Sequence, residues 1–159
     1  MSVTDWDWKL PSAPQSYPWD CSAASLAWCL RTIGRTHTEW DVISGLGPQR
    51  ISPTLGLLDA SGAGLVSYCG EIGVNADNDG NATWHETLAA AGFQPMLIGG
   101  RGWYHWTAVR MGAIAAQHPN LDLIALMNPA EGYMGVAQTL SREQFDRLGP
   151  FSAVWFNSW

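Results

Sequence analysis

A chain of 159 residues, 47% of them hydrophobic, is long enough to bury a core without disulfide support, and its length suits one domain. The 14 acidic against 8 basic residues give a net charge of −6, which argues against nucleic acid and anionic surfaces as partners. No apolar run reaches the roughly 18 residues of a membrane span, so membrane insertion is not expected. Met1–Trp8 lacks the basic start and apolar centre of a signal peptide. Three cysteines without framework spacing suit a reducing compartment, so the expected location is cytoplasmic, whether the chain is a whole protein or one domain of a larger one.

Residues 1–14, with Pro11 and Pro14, read as an extended arm, and residues 15–159 as a single domain. Pro18 blocks a helix through the Gln15–Asp20 approach, and the Ala/Leu-rich residues after it favour one from Cys21 to Ile33, stopped by Gly34. Thr38-Glu39-Trp40-Asp41 is a capping box with Asp in place of Glu, opening a short second helix towards Ser44. Ser52-Pro53 suggests the start of a third helix carrying Leu55, Leu58, Ala60 and Leu65, weakened by Gly62 and Gly64. Thr83–Glu86 is a fuller capping box for a helix through Ala91 that stops at Gly92. The period then changes. Pro95–Ile98, Trp103–Met111, Leu121–Met127, Tyr133–Leu140 and Ala153–Phe156 read as strands separated by turn residues. Helices first and strands afterwards imply α+β with an antiparallel sheet.

Cys21 stands where a helix begins, against unpaired backbone N–H groups and the positive end of the helix dipole, and both favour a thiolate. Beside a cation, such placement lowers a thiol from about 8.5 into the range of roughly 3.5 to 7.5. Gln15, six positions earlier, is a candidate amide donor to an oxyanion. His105 lies in an apolar run suited to a strand, and alternation groups it with Trp103, Thr107 and Val109; if that face meets the Cys21 helix, His105 can reach the sulfur. Asn128 ends the next such run, before Pro129. Each residue has an ordinary alternative: Cys21 as a small buried hydrophobe, His105 as a core histidine, Asn128 as a turn opener, Gln15 as a loop residue. Cys29 and Cys69 fit the buried role, and His37, His85 and His118 read as surface residues.

The order Gln15, Asp20-Cys21, His105, Asn128-Pro129, followed by the helix Ser141-Arg142-Glu143-Gln144-Phe145 and a last strand, resembles the papain-like cysteine peptidase superfamily. Within it the chain is most similar to the bacterial peptidases that process double-glycine leader peptides. Ser22 stands where those peptidases usually carry Gly, and Asn128 where they usually carry Asp. The resemblance implies a papain-like α+β fold, with a helical half carrying the nucleophile packed on an antiparallel sheet. It implies thiol-dependent hydrolysis of a peptide or protein substrate by Cys21, His105 and Asn128, with Gln15 as oxyanion donor and neither metal nor organic cofactor required. Trp19 beside the nucleophile and Trp103 and Trp106 beside the base are candidate groove-lining residues. The alternatives are an inert papain-like domain that binds peptide or carbohydrate, and a cell-wall amidase on the same residues.

Asn75, Asp77, Asp79, Gly80 and Glu86 match a calcium-loop pattern except for Asn at its first position. A Gly-containing turn followed by the Thr83–Glu86 capping box explains the same residues. Glu86 cannot easily serve in both, and the capping box is the preferred reading.

Overall fold

The structure, a computed structural model, describes residues 14–91, 93–110, 123–130 and 139–159. Ten successive positions of the first helix, Cys21 to Leu30, are buried, so α1 (Cys21–Thr32) is apolar or small all round. A helix of that kind belongs in an interior. It lies between α2 (Glu39–Leu46) and α3 (Ala63–Glu71) on one side and the sheet on the other. Gly34, at φ +83°, provides the left-handed residue that ends it. The Thr38 box closes as expected: Thr38 Oγ1 accepts from Asp41 N and Asp41 Oδ2 from Thr38 N, at 3.1 and 2.8 Å. The Thr83 box does the same with Glu86, opening α4 (Trp84–Ala91).

Six strands form an antiparallel sheet: β3 (Asn75–Ala82), β4 (Met96–Gly100), β5 (His105–Val109), β6 (Leu123–Met127), β7 (Thr139–Ser141) and β8 (Phe151–Ser158). Their spatial order is β3-β8-β4-β5-β6-β7. A seventh and eighth strand, β1 (Ile51–Ser52) and β2 (Gly56–Leu57), make a small separate hairpin. Alternation splits the core in two. Leu97, Trp106, Ala108, Met127, Val154 and Phe156 face α1, whereas Ile98, Val109, Ile124, Leu126, Phe151 and Ala153 face α4 and α5 (Arg142–Leu148). Gly99, opposite Trp106 across the β4–β5 pair, has to be glycine, since an added Cβ would sit 2.4 Å from the indole.

Four expectations change. The Ser52–Leu65 segment is not one helix: Ser52 Oγ accepts from Leu55 N at 3.0 Å in a turn, Gly56 and Gly62 are left-handed, and helix begins only at Ala63. Leu55 and Leu58 are exposed and only Leu65 of the loose apolar stripe reaches the core. Residues 75–82 form edge strand β3 rather than a turn, because pairing with β8 overrides their polar composition. Asn75, Asp77 and Asp79 are therefore spread along a strand. Asp77 accepts from Asn157, Asp79 from the Asn81 amide, and Glu86 is occupied in its capping box. The α1-facing side of β5 carries Trp106 and Ala108, so the condition set on the His105, Thr107 and Val109 face is not met. His37 is half-buried against Tyr68 rather than at the surface, whereas His85 is exposed. The arm at residues 1–13, the helix stop at Gly92, His118, and most of the Tyr133–Leu140 strand lie outside the described residues.

Candidate active site

The apolar packing of α1 against β5 fixes the first pair of groups. Cys21, the first residue of α1 and 8% exposed, has its sulfur 3.4 Å from the Trp106 amide, which donates to it. Trp106 directly follows His105, so the sulfur lies at the His105–Trp106 step, where β5 begins. Tyr104, just before it, has φ +51°, an uncommon value for a bulky residue, and its side chain is almost wholly exposed.

The β5–β6 pairing fixes the second pair. His105 Nε2 is 2.7 Å from Asn128 Oδ1, and the Ala130 amide donates to the same oxygen at 3.0 Å. Because the Ala130 N–H requires an acceptor, that Asn128 atom is the oxygen. The imidazole must then carry its proton on Nε2, which leaves Nδ1 with a free lone pair. Asn128 is fully buried and His105 half-buried. Burial pushes the imidazole below its usual value, and the Asn128 hydrogen bond opposes that shift.

Gln15 is buried and its backbone amide donates to Pro129 O at 2.9 Å, so the loop before α1 is tied to the residue after Asn128. Its Nε2 donates to Tyr17 O at 2.5 Å, which leaves one amide hydrogen uncommitted to that carbonyl. Trp19 is half-buried and stacks on Tyr17, with ring centroids 5.7 Å apart. Trp103 is also half-buried, edge-on to His105 at 5.5 Å. Trp106 does not line an open groove: it is buried in the layer between α1 and the sheet, over Gly99.

The electrostatics differ from the sequence expectation in one respect. Burial pushes the Cys21 thiol up rather than down, outweighing the opposing backbone N–H groups of Trp106, Ser22 and Cys21 itself, and the Asp20 charge pushes it further. Desolvation wins because the sulfur sits beneath the surface at the α1–β5 junction. Asp20 is completely buried, and burial together with the adjacent Glu39 carboxyl raises it to about 7. The side chain of Asp20 does not cap α1; its Oδ1 accepts instead from Tyr17 N at 3.2 Å. Buried polar atoms without a partner concentrate here: Gln15 Oε1, Asp20 Oδ2 and Ser22 Oγ around Cys21, and Trp103 Nε1 and Thr107 Oγ1 around His105. Glu39 is the residue that sequence reasoning missed, since its role within the Thr38 box hid its reach to Ser16.

A cavity of about 500 Å³ lined by Ala82, Glu86, Ala90, Met96, Ala153 and Trp155 lies on the α4 face, across the sheet from Cys21. Among the described residues no group of three or more His, Cys, Asp or Glu side chains could hold a metal ion, and no helix is long and apolar enough to cross a membrane.

No protein-family model and no curated protein matches the sequence. Among solved structures, the chain is similar to a double glycine motif protease from an AMS/PCAT transporter, crystallised in complex with the leader peptide. The TM-score is 0.71 at 18% identity, covering 98% of this chain and 96% of that one. The papain-like α+β fold expected from the order Gln15, Cys21, His105, Asn128 is thus the fold of the chain, shared with a double glycine motif protease over nearly its whole length.

Proposed function

We propose that the protein is a cysteine peptidase acting through Cys21, His105, Asn128 and Gln15. The observation that carries the reading is the ordering of His105 by Asn128 at the strand step whose next amide bonds the Cys21 sulfur. Nucleophile, base and orienting group in that relation make up the generalised triad.

In the proposed reaction the Cys21 S–H proton passes to His105 Nδ1 as the sulfur attacks the peptide carbonyl. The resulting oxyanion takes hydrogen bonds from the Cys21 backbone N–H and from the spare Gln15 amide hydrogen. His105 then delivers its proton to the leaving amine, leaving a thioester. Water resolves the thioester, with His105 as base, and the thiol returns. Asn128 keeps the proton on Nε2 throughout, so Nδ1 alone exchanges protons. The raised thiol and lowered imidazole make the resting pair neutral, so proton transfer accompanies attack instead of preceding it.

The substrate proposed is a peptide, supported by the leader peptide bound to the structural neighbour. Trp19 and Trp103, both half-buried beside the reacting groups, are the proposed walls of its groove. Three free cysteines support a cytoplasmic location. No metal or cofactor enters the proposed steps.

The burial of the thiol favours one second reading, an inert papain-like domain that binds peptide without cleaving it. Incubation with a peptide library spanning Gly-Gly sites, read by mass spectrometry, separates the two. Cleavage lost in Cys21→Ala supports the peptidase; binding without cleavage supports the inert domain.

A further inference from the structure

The loop that carries Gln15 is held by the carboxyl groups of Glu39 in α2 and of Asp20, just before α1. Glu39, at the first position of α2, takes both hydrogen-bonding groups of Ser16: the amide on Oε1 at 3.0 Å and the hydroxyl on Oε2 at 2.6 Å. Asp20 takes the next amide, Tyr17 N, at 3.2 Å. The Tyr17 carbonyl in turn receives the Gln15 side chain. Each link therefore leads to the oxyanion donor: Glu39 to Ser16, Asp20 to Tyr17, and Tyr17 O to Gln15 Nε2.

Both oxygens of Glu39 accept from the Ser16 loop. Asp20 Oδ2 is buried and has no donor, yet Asp20 lies against Glu39.

We propose that Glu39 is a positioning residue that, through its two hydrogen bonds to Ser16, holds the Gln15 loop in the conformation needed to receive the oxyanion. The proposal rests on the peptidase reading for its catalytic meaning and on the hydrogen bonds alone for its structural content. Glu39 touches neither substrate nor Cys21; its effect passes through Ser16 and Tyr17.

Amide hydrogen exchange and kinetics test the two parts separately. In Glu39→Ala the Ser16 and Tyr17 amides should exchange at least about tenfold faster than in wild type, while the α2 interior keeps its protection through the intact Thr38–Asp41 box. Misplacing the oxyanion donor should lower kcat on the order of 10²-fold with little change in KM. Glu39→Gln, which keeps one accepting oxygen, should recover about tenfold of that loss. In a Gln15→Ala background Glu39→Ala should cost no more than about a further twofold, since both act through one donor. Unchanged exchange at Ser16 and Tyr17, or an undiminished kcat loss in the Gln15→Ala background, overturns the proposal. If wild type cleaves no peptide, the peptidase reading fails, and the exchange result still decides whether Glu39 holds the loop.

Discussion

Cys21 and Cys29 lie about two turns apart on α1, and burial raises both thiols, yet their surroundings differ in kind. Cys29 is wholly enclosed, with burial first and the nearby Cys69 second pushing its thiol far up, and its S–H donates to Met96 O at 3.4 Å. Cys21 has the opposite polarity: its sulfur receives a hydrogen bond from Trp106 N and lies among the unpaired amides of the helix start. A sulfur that accepts is prepared to become an anion, whereas one that donates is kept as a thiol. Burial alone therefore does not separate the proposed nucleophile Cys21 from Cys29; the direction of the hydrogen bond does.

The largest expected effect breaks that comparison outright. Cys21→Ala should abolish peptide cleavage, a loss of at least about 10³-fold in kcat/KM, while Cys29→Ala should keep it and lower stability by about 1 to 2 kcal/mol in urea denaturation. Gln15→Ala should reduce kcat by about 10² to 10³-fold, the cost of one oxyanion donor, and leave alkylation of Cys21 unchanged. Full activity in that variant would remove Gln15 from the mechanism.

The pH profile sharpens the same contrast. Because burial holds His105 below its usual value, kcat/KM should rise with pH on a limb whose midpoint lies below 6.5. The Asn128 hydrogen bond raises that value, so Asn128→Ala should move the limb to still lower pH while reducing kcat about tenfold or more. A limb moving upward contradicts the assigned role of Asn128.

Asp20 gives a smaller effect of opposite sign. Its folded value is raised above the unfolded one, so the folded state holds the extra proton between the two. Its contribution to stability is present below the unfolded value of about 3.8 and is lost as pH rises through about 7. Thermal melts from pH 4 to 7 should show this decline, and Asp20→Asn should flatten it. Thr83→Ala, far from either cysteine, should cost about 1 kcal/mol through loss of the α4 cap, without touching the pH profile.

What the sequence revealed follows the range of the forces involved. The Thr38 and Thr83 boxes, the α1 start after Pro18 and the Gly34 stop depend on neighbours within four residues, and all are readable from the chain alone. Edge strand β3 was not readable: Asn75–Ala82 is polar, and only its pairing with the distant C-terminal strand β8 makes it a strand. The Ser52–Leu65 helix failed for the converse reason, because a Pro at a helix start and a Pro in a turn look alike until Gly56 and Gly62 adopt positive φ. In the candidate site, residue order pointed to Gln15, Cys21, His105 and Asn128, while the face of β5 that meets α1 was left open. Strand alternation gives two faces and does not say which one a helix covers. Glu39 left no signal, since its contact with Ser16 spans 23 positions.

The most direct test is the pH dependence of iodoacetamide alkylation, resolved by peptide mapping across Cys21, Cys29 and Cys69. A neutral Cys21–His105 pair predicts that Cys21 alone reacts in the folded protein, with a rate plateau between the imidazole and thiol titrations that disappears in His105→Ala. If Cys21 stays as unreactive as Cys29 until the protein unfolds, or if its plateau survives the loss of His105, the assignment of nucleophile and base is wrong.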